Sequence, residues 1–291
     1  MKTMSPEDAA RCCTLGLLLE LATSPKPGLV DRLSNPDVYA CFTASAVALY
    51  PCFLKAAQGT SVGDAVLCST REMMSWQKGG NTHLGSLLLL TPIAKAAVEA
   101  GKIERLRGSL EKTLKQMDYR DLHKILKAIK MVGPGGLGKV AYLDVNNAKT
   151  YNLVKQRKTS VIEAFNPYAQ WEVVAHEYCT NYQASIMHGY MFLRKRIEQE
   201  DWNTAGINTF LNILQHLPDS HVSRRQGRHA AKILSRMAKQ VLDAGGVGTE
   251  EGGRRYTQFI KHVKRAGMKP AAAADVLAVS YTLLLLSGWR P

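Results

Sequence analysis

From Pro6 to Leu286 the apolar residues return every three or four positions, and no stretch alternates apolar with polar in the manner of a half-buried strand. Phe42, Ala46, Leu49, Phe53 and Ala56, for instance, are spaced to form one buried helical face. Helices are predicted from Ser5-Pro6, from Pro36 or Asp37 through Ala57, from Ser61 to Trp76, and from Asn166-Pro167 to about Gln199. Others follow over Ile103–Met117, Tyr119–Met131, Trp202–Leu217, Arg224–Ala244, Glu250–Ala266 and Pro270–Leu286. The expected fold is all-α: a single-domain multi-helix bundle of about ten helices over residues 1–291. No low-complexity linker or fixed-period repeat divides the chain, and 132–160 is the one region that reads as a hinge.

A chain of 291 residues with 46% hydrophobic residues can bury a full-sized core and is neither disordered nor fibrous. Its longest apolar runs are interrupted, Leu84–Ala97 by Pro92 and Lys95, Ala271–Trp289 by Asp275 and several hydroxyls, so neither is expected to span a membrane. Glu7 and Asp8 stand where a signal peptide would carry its apolar segment, and a cytoplasmic location is expected. Cys12, Cys13, Cys41, Cys52, Cys68 and Cys179 show no C-x-x-C spacing and are expected to be reduced core residues. The formal charge of +14 asks for an anionic partner, a nucleotide or a nucleic acid.

Chemistry-bearing residues collect at three polar turns, each joined to an apolar helix. In Gly79-Gly80-Asn81-Thr82-His83-Leu84-Gly85-Ser86 the glycines permit a tight turn and Asn81 is a good N-cap. The leucine helix that follows would aim unpaired N–H groups at an anion, and His83 would sit there with a pKa suited to proton transfer. In Pro25-Lys26-Pro27-Gly28-Leu29-Val30-Asp31-Arg32 two prolines hold Lys26 in a defined direction. In Asp219-Ser220-His221-Val222-Ser223-Arg224-Arg225-Gln226-Gly227, Asp219 could hold a metal while Arg224 or Arg225 clamps a phosphate. Taken singly, each turn also fits an ordinary capped helix with a solvated polar rim. Glu177, among Trp171, Val174, Tyr178 and Tyr182, is a helix acid whose burial would be costly without a role or a salt bridge. The glycine-rich Val132–Val140 fails the phosphate-loop pattern because Val140 follows Lys139.

Together these blocks resemble the triphosphoribosyl-dephospho-CoA synthase family. Gly245-Gly246 ahead of Thr249-Glu250-Glu251-Gly252, and Lys269-Pro270 ahead of Asp275, add to the likeness in the family's order. The resemblance is to a divergent, archaeal-type branch. A histidine expected after the first block is missing near Asp37, Leu84 follows His83 where a basic residue is usual, and Gln226-Gly227 stands for a glycine pair. These departures bear on the acceptor more than on the phosphate site.

The resemblance implies transfer of the triphosphoribosyl group of ATP to the 2′-hydroxyl of 3′-dephospho-CoA with release of adenine, or a related pentosyl transfer in cofactor biosynthesis. It also implies Mg²⁺ accompanying ATP. On that basis His83, Asp219 and Glu177 are the expected catalytic residues. Lys26, Gly28, Gly80, Asn81, Thr82, Gly85, Ser223, Arg224, Arg225 and Gly227 are expected to bind substrate phosphates, and Asp31 and Asp219 to ligate the metal. The three turns are expected to converge. ATP and a dephospho-CoA-like acceptor are the expected partners, and a homodimer is compatible with the sequence; nucleic acid and membrane are not expected. Two readings compete: a Mg²⁺-dependent N-glycosidic hydrolase of a nucleotide, and a basic helical nucleic-acid binder, the latter weakened because the basic residues lack an aromatic platform.

Overall fold

The computed structural model describes residues 4–133 and 143–291, so most of the glycine-rich stretch 132–140 lies outside the described residues. Among the described residues there is no strand. In the first half the helices are α1 (Pro6–Ala22), α2 (Pro36–Ala48), α3 (Tyr50–Ala57), α4 (Val62–Ser75), α5 (Leu84–Ala100), α6 (Ile103–Gln116), α7 (Tyr119–Val132) and α8 (Ala148–Arg157). The second half holds α9 (Val161–Phe165), α10 (Val173–Cys179), α11 (Met191–Arg196), α12 (Trp202–His216), α13 (Ser220–Gln226), α14 (Arg228–Asp243), α15 (Glu250–Arg265) and α16 (Ala271–Leu286).

The all-α expectation is met, and the helices outnumber the ten expected because long segments are broken and because α8 and α9 form where the sequence indicated no helix. Pro51 cannot donate to the turn before it, and the predicted Pro36–Ala57 helix divides into α2 and α3 at Leu49. Taken together, the 22 residues of α2 and α3 are long and apolar enough to cross a membrane by length and composition, whereas neither interrupted run singled out in the sequence is, among the described residues. The predicted Asn166–Gln199 helix becomes a 3₁₀ turn, α10, a π-helical turn at Ser185–Tyr190, and α11, while α9 lies just ahead of it. Asn181 and Tyr182 take left-handed backbone angles (φ 52° and 57°), which no continuous right-handed helix admits.

The chain forms two compact units. The first comprises Met1–Thr14, Cys41–Gln170 and Val174–Tyr182, so the described parts of 132–160 lie inside it. Its centre is α5, which packs on α3, α4 and α6. Pro92 does not end this helix as its lack of an N–H would suggest. The carbonyl of Leu88, four residues back, takes the Tyr178 hydroxyl at 2.7 Å, that of Leu89 takes the Tyr182 hydroxyl at 2.7 Å, and Cys13 Sγ lies 3.8 Å from the Leu90 carbonyl. The buried carbonyl that Pro92 leaves without a helical donor, that of Leu88, thus finds a side-chain donor in Tyr178. In the same unit Cys52 on α3 and Cys68 on α4 form a disulfide, correcting the expectation that all six cysteines are reduced.

The second unit comprises Leu15–Ala40, Trp171–Val173 and Gln183–Pro291. Within it α12 packs on α14 and α16, and α14 also packs on α13 and α15. Tyr281 of the apolar α16 is fully buried; its hydroxyl donates to the Trp202 carbonyl and lies 2.9 Å from Thr23 Oγ1.

Candidate functional site

The second unit carries two of the three expected turns. After α1 ends at Ala22, Pro25 and Pro27 do fix the direction of Lys26, and that direction is inward. Its ammonium donates to the carbonyls of Glu20 at 2.5 Å and Thr23 at 2.8 Å, lies 3.4 Å from that of Leu21, and stands 3.3 Å from the Glu20 carboxylate. A cation on the last carbonyls of a helix is favourably placed against its dipole. Burial raises the Glu20 pKa, and the neighbouring Lys26 charge offsets part of that rise. Lys26, only 2% exposed, therefore has its charge committed to the end of α1.

Asp31 is the latch of the same loop. One carboxylate oxygen accepts from the Lys26 amide at 2.7 Å and the other from the Leu33 amide at 2.9 Å. Arg32 donates from Nε to Ser24 Oγ at 2.6 Å and lies over the Trp202 ring. Gly28 has φ 76°, and a Cβ there would stand 2.1 Å from the Met268 carbonyl oxygen, so only glycine lets the loop lie against the chain between α15 and α16. Tyr256 of α15 donates its hydroxyl to the Pro25 carbonyl.

The Asp219–Gly227 turn rests on that same α15–α16 connection. Asp219 is the N-cap of α13, accepting from the Val222 amide at 2.9 Å, while its second oxygen accepts from the Ala273 amide in the first turn of α16, also at 2.9 Å. The side chain has no exposed surface, and burial pushes its carboxyl up to about 6 against the pull of those two bonds. His221 Nδ1 donates to the Lys269 carbonyl at 2.8 Å, and Gln226 Nε2 to those of Ala266 and Gly267. The structure thus sets residues 26–31 and 219–227 on one support. Arg224 is paired with Glu172 at 3.1 Å; Ser223 is half-buried, and Arg225 and Gly227 are exposed at the end of α13.

The third turn belongs to the first unit. Gln77 Nε2 donates to the carbonyls of Met73 and Gly80, and Thr82 Oγ1 to Ser45 Oγ at 2.6 Å, which stiffens the approach to α5. Gly80, at φ 75°, has open space around it. The N-cap falls at His83 rather than Asn81, yet Asn81 Oδ1 does accept from a first-turn amide, Leu84, at 3.1 Å. Gly85 sits in that first turn, and its neighbours from Ser86 to Ala94 are buried.

The His83 ring is 3% exposed and edge-on to Phe42. Its Nε2 lies 3.0 Å from the Phe42 carbonyl, which can only accept, so that nitrogen holds the proton and Nδ1 is the basic one. Burial lowers its pKa to about 4, below the near-neutral range the sequence suggested for proton transfer. Glu177, on α10 of the same unit, is fully buried beside Tyr178 and Tyr182.

No group of three or more His, Cys, Asp or Glu side chains among the described residues could hold a metal ion. Asp31 and Asp219 each spend both oxygens on backbone or hydroxyl donors, so they do not form a preformed magnesium cage. Glu172, which the sequence gave no reason to single out from its neighbours, is the carboxylate that the fold brings to Arg224.

Comparison with known proteins supplies the wider setting. A sequence model of the ATP:dephospho-CoA triphosphoribosyl transferase family matches residues 6–291. A Malonomonas rubra protein named "Probable 2-(5''-triphosphoribosyl)-3'-dephosphocoenzyme-A synthase" is 24% identical over 296 residues, covering 94% of this chain and 85% of its own. A Pseudomonas syringae pv. tomato protein of the same name is 25% identical over 300 residues, covering 94% and 89%. A crystal structure of a candidate triphosphoribosyl-dephospho-CoA synthase from Archaeoglobus fulgidus superposes with a TM-score of 0.68 at 24% identity, covering 85% of this chain and 99% of the other, and supports the helical fold.

Proposed function

The chain belongs to the ATP:dephospho-CoA triphosphoribosyl transferase family, and from that premise we propose that it moves the triphosphoribosyl group of ATP to the 2′-hydroxyl of 3′-dephospho-CoA, releasing adenine. The observation that carries this reading is the family match along nearly the whole chain, 6–291, which takes in all three polar turns. In the transfer the ribose C1′ bond to adenine breaks and a bond from C1′ to the acceptor oxygen forms, while the hydroxyl proton leaves to a base. The protein must hold a polyanionic tail still and receive that proton.

The geometry divides the expected residues into two kinds. Lys26, Asp31 and Asp219 hold loops in place, since their charged atoms are engaged by backbone. Within the second unit Arg224, Arg225 and Ser223 are the groups we assign to phosphate oxygens, and within the first unit the first-turn amides beyond Asn81 form a separate anion-binding group. His83 is the proposed proton carrier, acting through Nδ1 as a neutral imidazole at pH 7. Mg²⁺ would enter with the triphosphate, since magnesium is commonly held by substrate phosphates and water with little help from protein carboxylates.

The test is to incubate the protein with ATP and Mg²⁺, with and without 3′-dephospho-CoA, and to resolve free adenine by chromatography. Adenine that appears only with the acceptor is the expected result. Adenine without acceptor would instead support the N-glycosidic hydrolase. No adenine under either condition, together with salt-sensitive duplex binding, would support the nucleic-acid binder.

A further inference from the structure

Arg224 projects from α13 with a guanidinium that is mostly covered and only partly satisfied. Its side chain is 19% exposed and one Nη donates to Glu172 Oε1 at 3.1 Å, while its Nε is buried without a hydrogen-bond partner among the described residues. A buried N–H left unpaired is costly, and a native fold tolerates such a group mainly where it has a task. Glu172 is 21% exposed and is fastened from a second side by Ser220 Oγ, which donates to the same oxygen at 3.2 Å. Glu172 comes from the short 171–173 segment, and Ser220 and Arg224 from α13, all within the second unit.

We propose that Glu172, steadied by Ser220, is a positioning residue that holds the Arg224 guanidinium as an anchor for the triphosphate of the nucleotide. This rests on the transferase reading and adds to it the carboxylate that orients the arginine. A guanidinium has five donors in a planar fork, and pinning one amino group to a carboxylate fixes the plane in which the rest can meet phosphate oxygens. Held in that way, the side chain loses little rotamer freedom when the anion arrives.

The geometry makes a prediction opposite in sign to simple charge counting. Were Glu172 only a nearby negative charge, neutralising it would strengthen binding of a polyanion. As the group that orients Arg224, its loss weakens binding. The experiment is calorimetric titration of the full-length protein with inorganic tripolyphosphate, alongside the KM for ATP and kcat in the adenine assay.

Glu172→Gln and Arg224→Lys are each expected to weaken tripolyphosphate ~10-fold or more and to raise the KM for ATP further than they lower kcat. Ser220→Ala, a milder change, is expected to weaken binding in the same direction, and Glu172→Asp to recover part of what Glu172→Gln loses. The surface control Arg254→Lys should bind like the parent protein. Unchanged or tighter tripolyphosphate binding in Glu172→Gln or Ser220→Ala, with melting temperatures kept, overturns the proposal. Should the variants behave as expected while no acceptor-dependent adenine is formed, the anchor stands and the transfer reading falls; acceptor-dependent adenine with binding indifferent to Glu172 does the reverse.

Discussion

His83 and Asp219 are buried ionisable groups whose burial biases stability in opposite directions. The histidine's folded pKa, about 4, lies below its ordinary value of 6.5, so its contribution is fully present above pH 6.5 and is lost as pH falls towards 4. The gap corresponds to about 3 kcal/mol. Asp219 is raised from 3.8 to about 6, so its contribution is fully present below pH 3.8 and is lost as pH climbs to 6. Urea midpoints measured from pH 7 down to pH 4.5 should therefore fall less for His83→Gln, which has nothing to titrate, than for the parent; parallel curves would show that the imidazole is not buried as neutral. Lys26 teaches a related lesson about residues. That its direction is fixed was legible from the two prolines, but not that the direction is inward, because the carbonyls it caps belong to the previous helix and become a receptor only once α1 has formed.

Among the connecting elements, two glycines with similar backbone angles should respond differently to the same substitution. At Gly28 a methyl group would meet the Met268 carbonyl at 2.1 Å, and the clash is with backbone; at Gly80 it would meet nothing within 4 Å among the described residues. Gly80→Ala should cost only the ~1–2 kcal/mol of a left-handed alanine. Gly28→Ala should cost several times that, or displace the loop from the α15–α16 connection, and should depress adenine release correspondingly. Equal melting temperatures for the two variants would contradict the packing described. Helix existence was readable from periodicity and caps: Ser61 does accept from the Asp64 amide, and Asp219 does cap α13. Continuity was not readable. Pro92 lies inside α5 with Tyr178 donating to the Leu88 carbonyl it leaves unpaired, whereas Asn181 and Tyr182 interrupt their segment with no proline or glycine beside them. Both places involve hydrogen bonds to partners about ninety residues away in sequence, which a local pattern cannot contain. The Cys52–Cys68 bridge escaped for the same reason, since it joins two helices whose packing sets the pairing.

At the scale of the whole molecule, the all-α class and the family follow from features spread along the chain, and both survive the local corrections. The two expected turns in the second unit share a support, which the order of motifs could not show, and Glu172 joins Arg224 through contacts that carry no sequence signature. The net charge of +14 suits a protein that handles a triphosphate and a second nucleotide. What the family assignment demands of this chain is a specific covalent outcome at the acceptor. The most direct measurement is the mass and linkage of the acceptor after incubation with ATP: the prediction is 3′-dephospho-CoA enlarged by one triphosphoribosyl group at its ribose 2′-oxygen, with one adenine released for each. An acceptor of unchanged mass after ATP has been consumed would contradict it.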